Sequence, residues 1–124
     1  MRLYIAIPWV VIFHDAFEPE FEALPPAVRE AMAASATLLR THGPMLSRPH
    51  ADTLAGSRHA NMKELRFTAE NGVWRLALAF DPARQGILLV AADKTGVNQS
   101  RFYKALIAKA DKRLTAHLKT MKET

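Results

Sequence analysis

The chain has 124 residues, of which 49% are apolar and 23% are charged. This length and composition are those of one globular domain that can bury a core, and they exclude a disordered chain. The absence of cysteine excludes disulfide bonds, thiolate catalysis and cysteine-ligated zinc, and it suits a reducing cytoplasm, where we expect the protein to reside.

The charge is distributed unevenly along the chain. Seventeen Lys and Arg against twelve Asp and Glu give a net charge of +5. Residues 1–30 carry two basic and five acidic side chains, whereas residues 94–124 carry eight basic and two acidic ones. Such a molecule has one electropositive face, for which nucleic acid is the commonest partner. A solvated helix face is the alternative interpretation of the C-terminal lysines.

The first apolar segment, LYIAIPWVVIF at residues 3–13, predicts a buried β-strand. It contains a proline, lacks a small-residue cleavage site and is too short to span a bilayer, so we expect neither a secretory signal nor a membrane anchor. The Val and Ile residues place the first strand at Trp9–His14. Residues 1–8 are then an N-terminal extension or the lead-in to this strand.

Two helices are predicted next. Asp15 is the predicted N-cap of a short helix, whose apolar residues recur at helical spacing from Phe17 to Leu24. Pro25-Pro26 ends this helix and starts the next, Ala27–His42, which Gly43-Pro44 terminates. The second helix has one apolar stripe, so we expect the two helices to form a hairpin that packs on a sheet.

A long polar loop at residues 44–61 precedes the rest of the sheet, and loops of this length are usually functional or mobile. Glu70-Asn71-Gly72 predicts a hairpin turn with Asn-Gly chemistry. Three strands and one helix follow the loop: Met62–Ala69, Val73–Phe80, Ile87–Ala92 and Asn98–Leu118. The order β-α-α-β-β-β-α predicts an α+β domain, with the helices against one face of a mostly antiparallel sheet.

The loop and the first two of these strands are rich in cations. Arg66 and Arg75 interrupt strand sequences, where a guanidinium is costly unless it meets an anion. The planar fork of arginine suits phosphate, so we expect both to bind phosphate. The alternative is a structural ion pair with Glu64, Glu70 or a neighbour. Arginines that point apart, or that are each paired with a carboxylate, would end the interpretation as a phosphate site.

Three separate sequence segments show a resemblance to a known family: RPHADTLAGSRHANMKELRF, GVWRLALAFDPARQGILLVAADKTG and RFYKALIAKADKRLTAHL. With the order of elements, they resemble the RelE/ParE superfamily of toxins, most closely its phage-related Gp49-like, HigB-type branch. The resemblance covers Trp9 to Leu118. It implies a RelE-like fold, with a single toxin domain at residues 9–119 and a tail at 120–124.

The resemblance also implies a function. Family members that act as RNases cut messenger RNA in the ribosomal A site without a metal, and a cognate antitoxin blocks them. We therefore expect the toxin of a type II toxin–antitoxin system, an endoribonuclease with no cofactor. We also expect a helix-turn-helix antitoxin, with operator DNA bound only through the toxin–antitoxin complex. Two alternatives stay open: a ParE-like toxin that poisons DNA gyrase without cleavage, and an inactive nucleic-acid-binding remnant.

Metal-free RNA cleavage needs a proton acceptor for the ribose 2′-OH, a donor for the leaving 5′-oxygen and positive charge at the phosphorane. The resemblance assigns Arg75 to the phosphate-binding position and Lys94 to the basic position after the last strand. It assigns Tyr103 to a position where a tyrosine aids catalysis, whereas a tyrosine on such a helix is otherwise a residue at the edge of the core. Arg66, on the preceding strand, completes the predicted phosphate site.

The other candidate site residues have less specific expected roles. His59 and Lys63 are candidates for proton transfer, the histidine because its unperturbed pKa is ~6.5. Arg58, in the basic loop, and Arg101 and Lys104, on the basic helix, are expected to bind RNA or phosphate. After the last strand, the motif DKTG stands where HigB proteins have a His-containing motif. The general acid is therefore not identified. The loop histidines His50 and His59 either converge on the site or cap local backbone. We expect no metal site, since His50 and Asp52 lack a third ligand at a usual spacing.

Overall fold

The structure is a computed structural model that describes residues 8–122. Its elements are β1 (Val10–Phe13), α1 (Phe17–Glu22), α2 (Pro26–His42), β2 (Ala51–Thr53), β3 (Lys63–Ala69), β4 (Gly72–Phe80), β5 (Gln85–Asp93) and α3 (Gln99–Lys122). The strands form one sheet in the order β1-β5-β4-β3-β2. Only the β1–β5 pair is parallel among the pairs in the described residues. The predicted α+β class with a mostly antiparallel sheet is confirmed.

The helices cover both faces of the sheet, so the prediction that they pack against one face is wrong. Leu65, Leu76 and Leu78 pack with residues of α1 and α2, whereas Ala77 and Ala79 pack with residues of α3. Successive side chains of a strand point to opposite faces. A strand as apolar as β4 therefore needs a cover on each face.

The predicted loop at residues 44–61 contains the short edge strand β2, which pairs with β3. The rest of the loop is attached to α3 through Asp111. The Ser57 hydroxyl donates to Asp111 Oδ1, and the Arg58 backbone N–H donates to Asp111 Oδ2 at 3.1 Å. His59 Nε2 and Thr115 Oγ1 are 2.9 Å apart. This part of the loop therefore lies along α3.

Two local predictions are corrected. Asp15 does not cap α1: no side chain caps this helix, and the Ala16 N–H donates to His14 Nδ1 at 3.0 Å. In the hairpin, Ala69 pairs with Gly72, which leaves Glu70 and Asn71 as the two turn residues. Both have positive φ, 48° and 63°, as a type I′ turn requires. Gly72 is thus a strand residue.

The last helix begins where it was predicted, since the Arg101 N–H donates to Asn98 Oδ1 at 3.1 Å. It continues to Lys122, beyond the predicted end at Leu118, so residues 120–122 of the predicted tail are helical. The domain boundaries stay a prediction, and residues 1–7 lie outside the described part. In residues 8–122, no helix is long and apolar enough to cross a membrane.

Candidate active site

Arg66 and Arg75 lie directly opposite each other on β3 and β4. Like charges in this position repel each other, but one carboxylate contacts both guanidinium groups. Glu64 Oε1 lies 2.9 Å from Arg66 Nε and 3.5 Å from Arg75 Nε. Glu64 is two residues before Arg66 in β3 and shares its face of the sheet. The two arginines therefore converge on the α3 side of the sheet around a shared anion.

Tyr103 of α3 completes this cluster. Its hydroxyl donates to Glu64 Oε1 at 3.1 Å and accepts from Arg75 Nε at 3.2 Å. Burial, with the Glu64 charge adding to it, raises the pKa of Tyr103, while the Arg75 hydrogen bond acts in the opposite direction. The phenol is therefore protonated at neutral pH, and it can donate a hydrogen bond or a proton.

Asp52 and Arg48 extend the cluster toward β2. Asp52 Oδ2 lies 2.7 Å from Arg48 Nη2 and 3.5 Å from Arg66 Nη2. The hydrogen bond from Arg48 lowers the pKa of Asp52, and the Thr53 N–H and Arg66 act in the same direction. The hydrogen bond to Glu64 raises the pKa of Arg66, which stays charged.

Lys94 follows β5, and its Nζ lies 6.0 Å from the centre of the Tyr103 ring. Four cations, Arg48, Arg66, Arg75 and Lys94, thus surround two carboxylates, Glu64 and Asp52. Four positive and two negative charges leave a net charge of +2 on these six groups. An incoming phosphate would therefore be attracted.

A pocket of about 210 Å³ opens at the cluster, and Glu64, Arg66 and Tyr103 are among its lining residues. The Arg66 side chain is 33% exposed, whereas the Arg75 and Glu64 side chains are 11% and 3% exposed. Of the two opposed arginines, Arg66 is therefore the one that solvent reaches more easily. The arginines converge as predicted, but both are also paired with a carboxylate, the outcome expected of a structural pair; a single Glu64 oxygen makes both contacts.

His59 and Lys63 are not brought to the cluster. The Thr115 partner of His59 lies twelve residues beyond Tyr103 in α3, which is about 18 Å along the helix. Lys63 precedes Glu64 and points to the other side of β3, and its Nζ donates to the Pro44 carbonyl at 2.7 Å. The two predicted candidates for proton transfer are thus separated from the arginines.

The other predicted residues lie at the periphery. The Arg58 side chain is 74% exposed, with its Nε 3.9 Å from Asp111 Oδ2, and Arg101 and Lys104 are exposed on α3. His50 lies beside β3, where its carbonyl accepts from the Arg66 N–H, so the two loop histidines have different neighbours. In residues 8–122, no three His, Asp or Glu side chains are grouped as metal ligands.

From the sequence, Glu64 is expected only as a structural ion-pair partner, and no place at the site is expected for Asp52. The alternation Glu64-Leu65-Arg66 places an acid and a base on the same face of one strand, and this pattern could have indicated the shared carboxylate. Asp52 lies opposite Glu64 in the β2–β3 register. No local pattern predicted that pairing, because β2 has only three residues.

The arrangement of the sheet and helices is that of a RelE-like toxin fold. A structure of the Escherichia coli toxin RelE, a double arginine-to-alanine variant in the free state, superposes with a TM-score of 0.59. The match covers 86% of this chain and 97% of that chain at 13% identity. At this level of identity the similarity shows the fold alone.

The chain belongs to the family described as phage-derived protein Gp49-like (DUF891), whose profile matches residues 19–115. Two relatives come from Mycobacterium tuberculosis strain H37Rv. "Putative toxin HigB2" is 41% identical over 96 residues, 77% of this chain and 47% of that protein. "Putative toxin HigB3" is 47% identical over 88 residues, 68% of this chain and 75% of that protein. The chain thus spans about half the length of the first. The RelE/HigB-type resemblance seen in the sequence is confirmed.

Proposed function

We propose that this chain is the toxin component of a type II toxin–antitoxin system and that it cleaves messenger RNA on the ribosome without a metal. Membership of the Gp49-like family, the toxin names of the relatives and the RelE-like fold support the toxin assignment. The nuclease assignment is carried by one observation: Arg66 and Tyr103 line an open pocket, and Arg75 donates to the Tyr103 hydroxyl behind it.

In the proposed reaction, the ribose 2′-oxygen bonds to the adjacent phosphorus and the bond from phosphorus to the 5′-oxygen breaks. Arg66 and Arg75 stabilise the negative charge of the phosphorane, and their planar forks can each make two hydrogen bonds to phosphate oxygens. The protonated Tyr103 hydroxyl gives a proton to the leaving 5′-oxygen. Arg75, at 3.2 Å from that hydroxyl, and the nearby Lys94 stabilise the resulting phenolate.

The proton of the 2′-hydroxyl also needs an acceptor. With His59 and Lys63 separated from the arginines, Glu64 is the carboxylate nearest to the proposed phosphate, and it lines the pocket. To accept this proton, Glu64 must exchange the contacts that its Oε1 makes with Arg66, Arg75 and Tyr103. A bound phosphate would compensate both arginines for that loss.

The ion pairs with Glu64 are also what a purely structural pair of arginines would show. This observation favours the gyrase-poison and inactive-remnant alternatives, which have no need of a phosphate site. The net charge of +2 on the six groups and the open pocket beside Arg66 favour the nuclease. The experiment must therefore separate cleavage from toxicity.

The toxin is expressed without its antitoxin, and primer extension is used to map messages in cells with active or blocked translation. We expect growth arrest and cuts in translated messages only. Arg75→Ala should abolish the cuts while the far-UV circular dichroism stays unchanged. A matched control is Arg84→Ala, whose guanidinium lies 4.4 Å from the Trp9 ring and not at the cluster. Intact messages with inhibited DNA supercoiling would assign the protein to gyrase poisoning. Intact messages with normal growth would indicate a remnant.

The proposed partners follow from the same assignment. They are a helix-turn-helix antitoxin, messenger RNA in the ribosomal A site, and operator DNA through the toxin–antitoxin complex alone. The proposed location is the cytoplasm, where messenger RNA is translated. Co-purification of the full chain with the product of an adjacent short helix-turn-helix reading frame tests the first partner.

A further inference from the structure

The outward surface of α3 carries five exposed cations: Arg101, Lys104, Lys112, Lys119 and Lys122. At 3.6 residues per turn they lie within about 80° of the helix circumference and extend over about 32 Å. In residues 8–122, none of the five has a salt-bridge partner. We call this surface the α3 stripe.

Within residues 99–122, the negative charge beside the α3 stripe is covered by the loop. The only carboxylate of α3 is Asp111, which is 8% exposed and accepts hydrogen bonds from Ser57 and Arg58 of the loop. The same contact holds Arg58, with its side chain 74% exposed, at one margin of the stripe. The loop thus covers the acid and adds a sixth cation.

The other two cations of α3 are neutralised and mark the opposite margin. Arg113 Nη2 lies 2.6 Å and Lys109 Nζ lies 3.5 Å from Glu20 Oε2. The hydrogen bond from Arg113 lowers the pKa of Glu20, so this carboxylate is ionised at neutral pH. The unpaired cations are therefore confined to one side of the helix.

The composition of the α3 stripe favours nucleic acid over a protein partner. Small side chains, Ala105 and Ala108, lie between the cations, whereas His59 of the loop lies against Thr115. The large apolar side chains that are exposed in the described residues are Val10, Ile12, Met45 and Val97, none of them on α3. Protein interfaces have apolar or aromatic centres and few lysines, whereas nucleic-acid interfaces are strongly positive.

We propose that the α3 stripe binds the phosphate backbone of double-helical RNA outside the cleavage pocket. The choice of RNA rests on the proposed function. An A-form helix has a wide, shallow minor groove, and proteins recognise it through phosphates and 2′-hydroxyls. A straight row of cations about 32 Å long reaches phosphates on both sides of that groove. The small side chains between the cations let the backbone approach closely.

The test measures the affinity of the full chain for a 24-base-pair RNA duplex by fluorescence anisotropy at several salt concentrations. Each phosphate contact contributes about 0.9 to the slope of log K against log salt. The variant Lys104→Gln/Lys112→Gln/Lys119→Gln should therefore lower that slope by about two to three. Lys109→Gln is the matched control, because Lys109 lies on the same helix but is paired with Glu20; it should leave the slope unchanged.

An unchanged slope in the triple variant would overturn the proposal. Weaker antitoxin binding with an unchanged RNA slope would assign the stripe to the antitoxin instead. If the triple variant melts at a lower temperature than the wild type, each single variant is measured and should lower the slope by about one. A protein that binds the duplex as expected but cuts no message would keep this inference and refute the proposed nuclease. A protein that cuts messages but does not bind the duplex as expected would keep the proposed nuclease and refute this inference.

Discussion

Arg66 and Arg75 face each other across β3 and β4 while both contact one oxygen of Glu64. The shared carboxylate allows two like charges to occupy a position where they would otherwise repel each other. The same oxygen also accepts the hydrogen bond of the Tyr103 hydroxyl, so all three side chains meet at one atom of Glu64. Stability and the proposed activity therefore depend on the same three charged groups, and variants can separate their contributions.

The first prediction concerns the shape of the Arg75 side chain. Arg75→Lys keeps the positive charge but loses the planar fork that binds phosphate through two hydrogen bonds. We expect cleavage to fall by about 10²-fold, as when one preorganised donor of a transition-state site is lost. Quantitative primer extension on one translated message gives the rate. Arg84→Lys, away from the cluster, should cleave like the wild type, and an equally active Arg75→Lys would contradict the bidentate role.

The second prediction concerns stability. Glu64→Gln leaves both arginines without their carboxylate, and we expect the free energy of unfolding to fall by about 2 kcal/mol. Removing one partner of a fully buried pair costs about 3–5 kcal/mol, but the Arg66 side chain is 33% exposed, so water screens part of this loss. Urea denaturation measures the change.

The control for this prediction is Glu70→Gln in the exposed β3–β4 turn, which should change stability by less than about 0.5 kcal/mol. In an Arg66→Ala background, Glu64→Gln should cost less than it does in the wild type, because one of its partners is already absent. Equal costs in the two backgrounds would show that Glu64 and Arg66 are not coupled.

The third prediction concerns the ionisation of Tyr103, whose pKa is raised by burial and by Glu64. Glu64→Gln removes the negative charge, so the pKa of Tyr103 should move down toward the ordinary tyrosine value of about 10. Ultraviolet titration of phenolate absorbance follows the change, and Tyr103→Phe identifies the Tyr103 component of the titration curve. A pKa that does not move in Glu64→Gln would mean that the Glu64 charge does not contribute to the shift.

The raised pKa of Tyr103 also makes stability depend on alkaline pH. Because the folded-state pKa is above the unfolded value, the contribution of Tyr103 is complete below pH ~10 and is lost as the pH rises through the folded-state pKa. In Tyr103→Phe, the fall of the unfolding free energy above pH 10 should therefore be shallower than in the wild type.

The fourth prediction concerns acid stability and the pair of Glu20 with Arg113. The hydrogen bond from Arg113 lowers the pKa of Glu20. The stabilisation is therefore present above the unfolded value of ~4.3 and is lost as the pH falls through the lower folded-state value. Glu20→Gln should be less stable than the wild type at pH 7, and its stability should vary less between pH 5 and pH 3. Glu22→Gln, exposed on the same helix, should retain the wild-type dependence.

Local patterns in the sequence were sufficient to predict most of the elements. The strands β3 to β5 follow from apolar and β-branched runs, and Pro25-Pro26 and Gly43 mark helix ends because backbone restriction acts within a few residues. The start of α3 at Asn98 follows from a cap, which is equally local. The register that pairs Arg66 with Arg75 did not follow from these patterns, since the turn residues are Glu70 and Asn71 and not the predicted Asn-Gly pair.

Only the tertiary structure decided those features of the fold and the site that depend on contacts between elements distant in the chain. These features are the strand β2 in the loop, the separation of α2 and α3 onto opposite faces, the attachment of the loop to Asp111, and the meeting of Tyr103 with Glu64. Each is a contact between elements that no local periodicity encodes, because it depends on how each face of the sheet is covered. The amino-acid sequence by itself determined which side chains carry charge and which strands hold them. Packing decided which of those charges share the site, because burial brings Glu64 within reach of both arginines and Tyr103.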